Sequence, residues 1–598
     1  MAVPIKRALV SVFNKTGLED LASAFQQYGT TVLSTGGTAK KLRELGVTVV
    51  DVSEVTNFPE MLDGRVKTLH PKIHGGLLAN RAIPDHLKQL EEHQIEPIDL
   101  VVCNLYPFEE TVASGKDFAG CIEMIDIGGP TMVRAAAKNC DSVAVVTNPE
   151  QYPRLIEEMA AHDGALTLET RRRLARDAFV ATARYDSAVA AYMSDNTESP
   201  AFSSRHYVQE GALRYGVNPH QNPASYSRLA GGDFPFTVLN GAPGYTNLMD
   251  ALNSWQLVRE LEAALGVPAA ASFKHVSPAG AAIARPLTEA ETEAFEVVGV
   301  ELSEQALAYV RARNADPMSS FGDFAALSGT CDASTAKILR REVGDGVIAA
   351  DYTPEALEIL KQKKGGKYLV LKGDVNYVPP VDEVKEVYGV ALTQKRNDAV
   401  ITKDLMTKEI VTSEQLPEDA LRDMVLATIT VKYTQSNSVC YAVGGQVVGV
   451  GAGQQSRVDC VKLAGRKVDT WHMRFHPKVR ALKFKKEGVS RPERVNARVA
   501  YISDDMTANE RAQWIKLFEE EPEPLTAEER AAWSNELKQV CLSSDAFFPF
   551  RDNIDQATKH GVSYIAQPGG STNDQAVIEA CNEYGIAMAF TRVRVFHH

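Results

Sequence analysis

Ala8-Leu9-Val10-Ser11-Val12, then Leu18 to Tyr28, then Thr31-Val32-Leu33, then Thr38 to Leu45 decide the fold class of this chain. The first and third are short apolar runs. The second places Leu18, Leu21, Ala22 and Phe25 on one helical face. Strand, helix, strand, helix is the pattern of a parallel sheet with helical crossovers. It continues through Val47-Thr48-Val49-Val50, Leu100-Val101-Val102-Cys103 and Val143-Ala144-Val145-Val146, so residues 1 to about 150 are expected to be α/β. In such sheets ligands bind beyond the C-terminal ends of the strands.

The polar residues cluster at those ends. Ser34-Thr35-Gly36-Gly37-Thr38 follows a strand and opens a helix. Two glycines there let backbone N–H groups approach an anion, aided by the helix N-terminus; Thr38 also reads as a plain N-cap. Gly64-Arg65-Val66-Lys67-Thr68-Leu69-His70-Pro71-Lys72 gathers cations in an acidic chain, as an anion site or a solvated basic loop. Asn104-Leu105-Tyr106-Pro107-Phe108 ends the Leu100 strand. Asp126-Ile127-Gly128-Gly129-Pro130 precedes a helix that runs to Ala137-Lys138-Asn139. A buried Lys138 beside Asp126 reads as a proton shuttle or an ordinary ion pair.

The chain has 598 residues, too many for one core, and is 44% hydrophobic and 24% charged, as in a globular protein. Its net charge of −13 makes it a poor candidate for nucleic-acid binding, although converging cations can still hold a small anion. Eight scattered cysteines form no Cys-x-x-Cys pair, which suits a reducing cytosol. No apolar run is long enough to span a membrane, and the N-terminus runs directly into a strand-like segment without a signal region. A cytosolic protein is expected. Zinc signatures are absent, which speaks against a zinc deaminase.

Residues 165–193 read as helix, and Asp195-Asn196-Thr197-Glu198-Ser199-Pro200 has linker composition, placing the main boundary between residues 199 and 200. A softer boundary is expected at about residues 365–400. In the second part, Ala270-Ala271-Ser272-Phe273-Lys274-His275-Val276-Ser277-Pro278 reads as a buried strand that delivers a cation and an imidazole at its edge. A lysine can stabilise an oxyanion and a histidine can move a proton near neutral pH; together they suit acyl transfer to a weak nitrogen nucleophile. A solvated Lys and a hydrogen-bonded His at a strand end are the plain alternative.

Other segments repeat the theme of polar residues at element ends. Arg214-Tyr215-Gly216 with Asn218-Pro219-His220-Gln221 is loop-like. Asn247 reads as the N-cap of a helix striped by Leu248, Leu252, Trp255, Val258 and Leu261. Lys432-Tyr433-Thr434-Gln435-Ser436-Asn437 follows a strand-like run, as Lys274-His275 does, and hints at an internal duplication. Ser544-Asp545-Ala546-Phe547-Phe548-Pro549-Phe550-Arg551-Asp552 reads either as core or as a rim facing a flat heterocycle. Gln567-Pro568-Gly569-Gly570-Ser571-Thr572 is another strand-to-glycine turn, and Glu519 to Glu529 reads as a solvated excursion. Gly449-Val450-Gly451-Ala452-Gly453 lacks the spacing of a dinucleotide site.

As an ordered set, these motifs resemble the bifunctional purine-biosynthesis enzymes with AICAR transformylase and IMP cyclohydrolase activities. The set is Ser34–Thr38, Gly64–Pro71, Asn104–Phe108, Ile125–Gly129, Arg134–Asn139, Arg214–Gln221, Lys274-His275, Ser544–Asp552, Gln567–Ser571 and the Arg594-Val595-Phe596-His597-His598 ending. The resemblance covers essentially the whole chain, whose length is similar to that of the eukaryotic form. It implies an α/β protein: a methylglyoxal-synthase-like parallel-sheet domain over residues 1–199 for ring closure, then a transformylase region over residues 200–598 made of two cytidine-deaminase-like subdomains. It implies a homodimer with transformylase sites shared between subunits, 10-formyltetrahydrofolate as co-substrate, and no catalytic metal, nucleic acid or membrane.

The resemblance also implies roles. Lys274 and His275 would serve formyl transfer to AICAR. Arg214, Tyr215, Asn247, His275, Gly322, Asn437, Phe547 and Arg594 would hold AICAR. Met318, Phe321, Asp345, Arg457, Val458, Asp552, Ser571 and Thr572 would line the folate side, with Val458 where the family often has Ile. Lys67, Tyr106, Asp126 and Lys138 would close the ring of formyl-AICAR to IMP. Ser11, Asn14, Lys15, Thr35, Gly36, Gly37, Thr38, Arg65, Val66, Lys67, Thr68, Asn104, Leu105, Asp126 and Ile127 would hold that nucleotide. Many members read Ser-Val-Ser-Asp-Lys where this chain reads Ser11-Val12-Phe13-Asn14-Lys15, which puts a hydroxyl contact at position 13 in doubt. A nucleotide-sensing N-terminal module fused to a formyltransferase is the competing reading.

Overall fold

Five parallel strands build the first sheet: β1 (Arg7–Val12), β2 (Thr31–Ser34), β3 (Val49–Asp51), β4 (Leu100–Asn104) and β5 (Ala144–Val146), in the order β3-β2-β1-β4-β5. The computed structural model describes residues 2–62, 65–197, 202–230 and 232–598. Side chains alternate across the sheet. Ala8, Val10, Leu100 and Val102 enter one core, and Leu9, Val101, Cys103 and Val145 enter the other. Burial on both faces is why these strands read as unbroken apolar runs. Helix α1 (Leu18–Gln27) buries the expected face, Leu18, Leu21, Ala22 and Phe25. Helix α2 (Gly36–Glu44) follows β2, α3 (Gly128–Lys138) follows the Asp126 loop, and the long α4 (Leu168–Asp195) occupies the expected helical stretch.

The chain divides into two units, Met1–His206 and Tyr207–His598. The expected linker begins inside the last residue of α4, and its residues 198–200 lie outside the described residues, as do Asp63 and Gly64.

The second unit is built on an eleven-stranded sheet. Its strands are β6 (Phe236–Asn240), β7 (Ala269–Lys274), β8 (Ser277–Ile283), β9 (Asp323–Cys331), β10 (Gly344–Tyr352), β11 (Leu369–Gly373), β12 (Val439–Val443), β13 (Gln446–Gly451), β14 (Val540–Ser544), β15 (Val562–Gln567) and β16 (Ala587–Phe590). Their order is β6-β11-β10-β9-β7-β8-β13-β12-β14-β15-β16. That order contains one topology twice. In the first copy α5 (Tyr245–Leu265) leads into the β7–β8 hairpin and then α6 (Glu304–Arg313); β7 pairs antiparallel with β9, and β9, β10 and β11 run parallel. In the second, α7 (Glu418–Lys432) leads into the β12–β13 hairpin and then α8 (Arg457–Met473); β12 pairs antiparallel with β14, and β14, β15 and β16 run parallel. The two hairpins meet where Ala282 of β8 pairs with Gln446 of β13.

Small details repeat as well. A Cβ on Gly280 of β8 would lie 2.2 Å from the Ala312 carbonyl of α6, and one on Gly449 of β13 would lie 2.4 Å from the Ala464 carbonyl of α8. Glycine lets each hairpin seat its following helix closely, which explains the Gly449–Gly453 stretch without a ligand. Asp250 lies in α5 and Asp423 in α7, each five residues after its helix begins at Tyr245 and Glu418. Both are buried and both bind the turn of the hairpin that follows. Asp423 accepts from Gly444 N–H at 2.8 Å and Gly445 N–H at 2.7 Å; Asp250 accepts from Val276 N–H at 2.7 Å.

The duplication expected from sequence is therefore present, but on different residues. The run before Lys432 is helix α7, not a strand, and the counterpart of the Lys274–His275 turn is Gly444–Gly445. Helix α7 is buried almost all round, so its apolar run carries little helical periodicity. Likewise Glu519 to Glu529 is not wholly solvated: Leu525 joins Tyr501, Trp514 and Phe518 in a small separate core between α8 and β14.

All four tryptophans, Trp255, Trp471, Trp514 and Trp533, belong to the second unit, so tryptophan fluorescence reports its unfolding alone. Asp423 pairs with Arg422 at 2.8 Å as well as with the turn. Removing one partner of a buried charged pair typically costs about 3–5 kcal/mol. Asp423→Ala should therefore lower the urea midpoint of the fluorescence transition markedly; an unchanged midpoint would refute the clamp.

Candidate functional sites

In the first unit the C-terminal strand ends are drawn together by side chains. Asn104, last in β4, accepts from Phe13 N–H at 2.7 Å and Asn14 N–H at 2.9 Å, and donates to the Asn14 carbonyl at 2.9 Å. The loop Phe13–Thr16, which holds Lys15, is thus fixed beside β4. Thr38 is not the N-cap; Thr35 is, and Thr38 lies in the first turn of α2. Its hydroxyl exchanges hydrogen bonds with Val12, accepting at 3.3 Å and donating at 3.1 Å, so β1 and the α2 N-terminus share one frame. Cβ atoms on Gly36 or Gly37 would meet nothing within 4 Å, leaving open space over the first N–H groups of the helix. Ser11 stands near the end of β1. That geometry suits an anion.

Asp126 sits opposite. Its Oδ1 accepts from Gly129 N–H at 2.8 Å, and its own N–H donates to the Tyr185 hydroxyl at 2.7 Å. Burial raises its carboxyl above the usual range, against the pull of the Gly129 and Tyr106 N–H groups. Tyr106 is 43% exposed, with Phe13 edge-on to it at 5.9 Å. Phe13, where a hydroxyl is usual, therefore supplies an aromatic edge. Leu105 and the exposed Ile127 flank Asp126; Thr68 lies against Gly128, whose Cβ would stand 3.2 Å from its hydroxyl. Lys67 pairs with Glu60 at 3.0 Å, and Arg65 pairs with Glu123 next to Val66. His70 caps the helix Pro71–Leu78 through its ring nitrogen.

Lys138 departs from expectation. It is exposed, not buried, and closes α3 at the end away from Asp126. At 1.5 Å per residue that is about 15 Å along the helix. The adjoining Asn139 binds the carbonyls of Leu77 and Ala79, past the far end of the helix that begins near Thr68. Tyr185, by contrast, belongs to the site and was not foreseen. It lies in α4, in an Arg- and Ala-rich helix where nothing in the sequence distinguishes it.

In the second unit Lys274 closes β7, and His275 and Val276 form the two-residue turn to β8. Lys274 Nζ donates to the Phe321 carbonyl, and a Cβ on Gly322 would lie 3.6 Å from that Nζ and 3.9 Å from Asp345. Gly322 has a φ of 71°, so glycine serves both the backbone and the space. Asp345 pairs with Lys364 at 2.7 Å. A cavity of about 500 Å³ opens over Lys274 and His275, lined also by Ser277, Ser319, Gln435 and Lys467. Met318 is 44% exposed between Ser319 and Asp316, the carboxylate that pairs with Lys467 at 3.1 Å. Asn247 is not the N-cap of α5; Gly244 is, and Asn247 stands in the first turn, one turn before Asp250.

The remaining expected residues form separate groups. Arg457 is buried, its guanidinium taken by Asp545, Ser544 at 2.8 Å and Asn437 at 2.9 Å. It supports Asn437 rather than facing solvent; Val458 beside it is half-buried. Of the aromatic cluster, Phe548 is core while Phe547 and Phe550 are 40% and 60% exposed. Arg214 stacks over Tyr215 at 5.7 Å, and Arg594 over Phe596 at 4.7 Å, in the exposed C-terminal segment bound to Ser436. Asp552, Ser571 and Thr572 follow β14 and β15. Five strand steps separate β7 from β15, about 24 Å at 4.8 Å per step. One chain therefore does not bring Lys274 and Thr572 to the same point. Among the described residues no three His, Cys, Asp or Glu side chains converge as metal ligands, and no helix is long and apolar enough to cross a membrane.

The raised Asp126 carboxyl carries a signed consequence. The folded state binds that proton more tightly than the unfolded chain. Its stabilising contribution is thus complete below the ordinary carboxylate range and is lost as pH rises through the elevated folded value. Asp126→Asn, which keeps an oxygen for Gly129 N–H, should melt higher than wild type at pH 7 by calorimetry. The difference should close as the pH falls below the usual carboxylate range; a lower melting temperature at pH 7 would contradict the burial argument.

Comparison with known proteins gives the family. Residues 17–131 match the MGS-like domain, and residues 136–467 match the AICARFT/IMPCHase bienzyme family. The Bifunctional purine biosynthesis protein PurH of Roseobacter denitrificans is 39% identical over 601 residues, covering 100% of this chain and 99% of the relative. The protein of the same name from Magnetococcus marinus is 39% identical over 609 residues, covering 99% of each. With its parallel-sheet unit, its Lys-His hairpin and full-length relatives of this similarity, the chain belongs to the AICARFT/IMPCHase bienzyme family of bifunctional purine-biosynthesis enzymes.

Proposed function

We propose that the family's two reactions are divided between the two units, with formyl transfer at the β7–β8 turn and ring closure at the strand ends of the first sheet. The observation that carries this is the pairing of a lysine and a histidine on one turn beneath an open cavity, apart from a second site with its own cation and buried carboxyl.

In formyl transfer the 5-amino nitrogen of AICAR attacks the formyl carbon of 10-formyltetrahydrofolate. His275 takes the amine proton, Lys274 faces the tetrahedral oxyanion, and the bond to the folate nitrogen breaks as that nitrogen is protonated. The products are formyl-AICAR and tetrahydrofolate. Asn247 and Gly322 adjoin the reacting groups, and Met318, Phe321 and Asp345 border the folate side. Because Asp552 lies four strand steps from β7 and Ser571 and Thr572 five, a folate-binding role for them calls for a second copy of the chain. A homodimer with shared sites is the simplest assembly. Cytosolic location follows from substrates that are soluble metabolites.

In ring closure the carboxamide nitrogen of formyl-AICAR attacks the new formyl carbon and water leaves. Both groups are on one molecule, so positioning supplies much of the rate. Lys15 and the N–H groups of Gly36 and Gly37 hold the phosphate. Lys67 faces the developing oxyanion; Asp126, with its raised carboxyl, and Tyr106 handle protons. Lys138 is left outside this set.

Incubation of the chain with AICAR and 10-formyltetrahydrofolate should yield IMP and tetrahydrofolate. Lys67→Ala should slow ring closure by about 10²–10³, the usual loss for one oxyanion donor, so formyl-AICAR accumulates. Lys138→Ala should stay close to wild type. Equal loss of both activities in Lys67→Ala would defeat the division, and a loss in Lys138→Ala as deep as in Lys67→Ala would defeat the site as drawn.

A further inference from the structure

The turn that carries His275 is held in a conformation its sequence does not favour. His275 has a φ of 54° and Val276 a φ of 62°. A two-residue hairpin turn with both residues at positive φ matches the twist of its strands, and Asn-Gly or Gly-Gly usually supplies it. The second copy obeys that rule: Gly444 and Gly445 have φ values of 61° and 79°. In the first copy the glycines are replaced by a histidine and a β-branched valine, for which this region is an outlier. Such conformations persist where the surroundings over-determine them, and they gather at functional sites.

Asp250 is what over-determines this one. It is 8% exposed, on a helix whose inward neighbours Leu248, Ala251, Trp255 and Val258 are apolar. Its Oδ1 accepts from Val276 N–H at 2.7 Å, next in the turn to His275, whose N–H and charge favour the ionised form of the same carboxylate. A carboxylate is not retained in such a row unless its oxygens are satisfied. The internal duplicate separates the structural part of this arrangement from the rest. Asp423 clamps its Gly-Gly turn in the same way, but its charge is met by the permanent cation Arg422. At Asp250 the corresponding neighbour is the titratable ring of His275.

The other charges around the turn are already paired or engaged. Asp345 on β10 has Lys364, Lys467 on α8 has Asp316, and Lys274 on β7 donates to the Phe321 carbonyl. Burial raises the Asp250 carboxyl and Asp345 adds to that, while Val276 N–H and the His275 imidazole oppose it.

We propose that Asp250 is a positioning residue for formyl transfer: it pins the strained turn through its backbone N–H groups and sets a negative charge beside the His275 imidazole. The ring is then oriented toward the incoming amine, and the imidazolium formed when it takes the amine proton is stabilised until that proton passes to the departing folate nitrogen. This rests on the assignment of transfer to Lys274 and His275.

The test is Asp250→Asn in the full-length chain. The amide keeps an oxygen for Val276 N–H and removes the charge. AICAR KM and the tryptophan-fluorescence unfolding midpoint should stay near wild type. The kcat of formyl transfer should fall on the order of tenfold. Asp250→Glu, which restores the charge, should recover part of that kcat. Asp250→Ala, which loses the clamp too, should lose more activity and some stability. A wild-type kcat in Asp250→Asn would overturn the proposal. So would a fall in kcat matched by a lowered unfolding midpoint and a raised AICAR KM, which would make Asp250 structural only, like Asp423. If the wild-type chain transferred no formyl group, the assignment beneath the proposal would fall and the proposal with it.

Discussion

A buried carboxylate holding the N–H groups of a two-residue turn is the interaction on which the second unit depends. It occurs twice, at Asp250 and Asp423. The hairpins so fixed lie side by side, joined by the Ala282–Gln446 pair and by Ile283 N–H donating to the Gly445 carbonyl at 3.0 Å. A one-residue slip at either turn would turn every side chain of that hairpin to the opposite face of the sheet. Eleven strands therefore take their register from two short turns. One copy spends those positions on glycine; the other places His275 there and accepts a strained valine beside it. A duplicated fold with one plain and one elaborated turn singles out His275 without reference to any relative.

The first unit solves the positioning problem differently. Its parallel strands are sealed between two cores, so their ends are stiff, and the loops beyond them are stitched by side chains. Asn104 fixes the loop that bears Lys15, Thr38 ties β1 to α2, and Tyr185 holds the Asp126 loop from α4. The chain as a whole is acidic, with a net charge of −13, yet anion binding needs only local convergence. The N-terminus of α2 is open, with neither Asp nor Glu in its first turn to oppose an anion.

The parallel strands of the first unit were legible because both their faces are buried, which leaves continuous apolar runs. Lys274 and His275 were legible because they interrupt such a run. Asp250 was not, although a carboxylate between Leu248 and Leu252 in an apolar stripe is a signal in its own right. The strand-like reading before Lys432 failed because a helix buried all round has no polar face to betray its period. Lys138 reads as buried beside Asp126 yet is exposed at the far end of α3, because nearness in sequence says little once a helix intervenes. The partners of Arg457 were not legible either: its guanidinium is taken by Asp545, Ser544 and Asn437, residues far from it in sequence. Distances across a sheet, such as the five strand steps from β7 to β15, cannot be read from sequence at all until the strand order is known.

The central claim is that His275 moves a proton in formyl transfer and takes no part in ring closure. The most direct measurement is single-turnover formyl transfer from 10-formyltetrahydrofolate to AICAR by His275→Ala, with ring closure of supplied formyl-AICAR followed in the same protein. Loss of a positioned acid–base group typically costs about 10²–10⁴-fold, so transfer should slow by roughly two or more decades while ring closure proceeds at the wild-type rate. Transfer at the wild-type rate in His275→Ala would contradict the account.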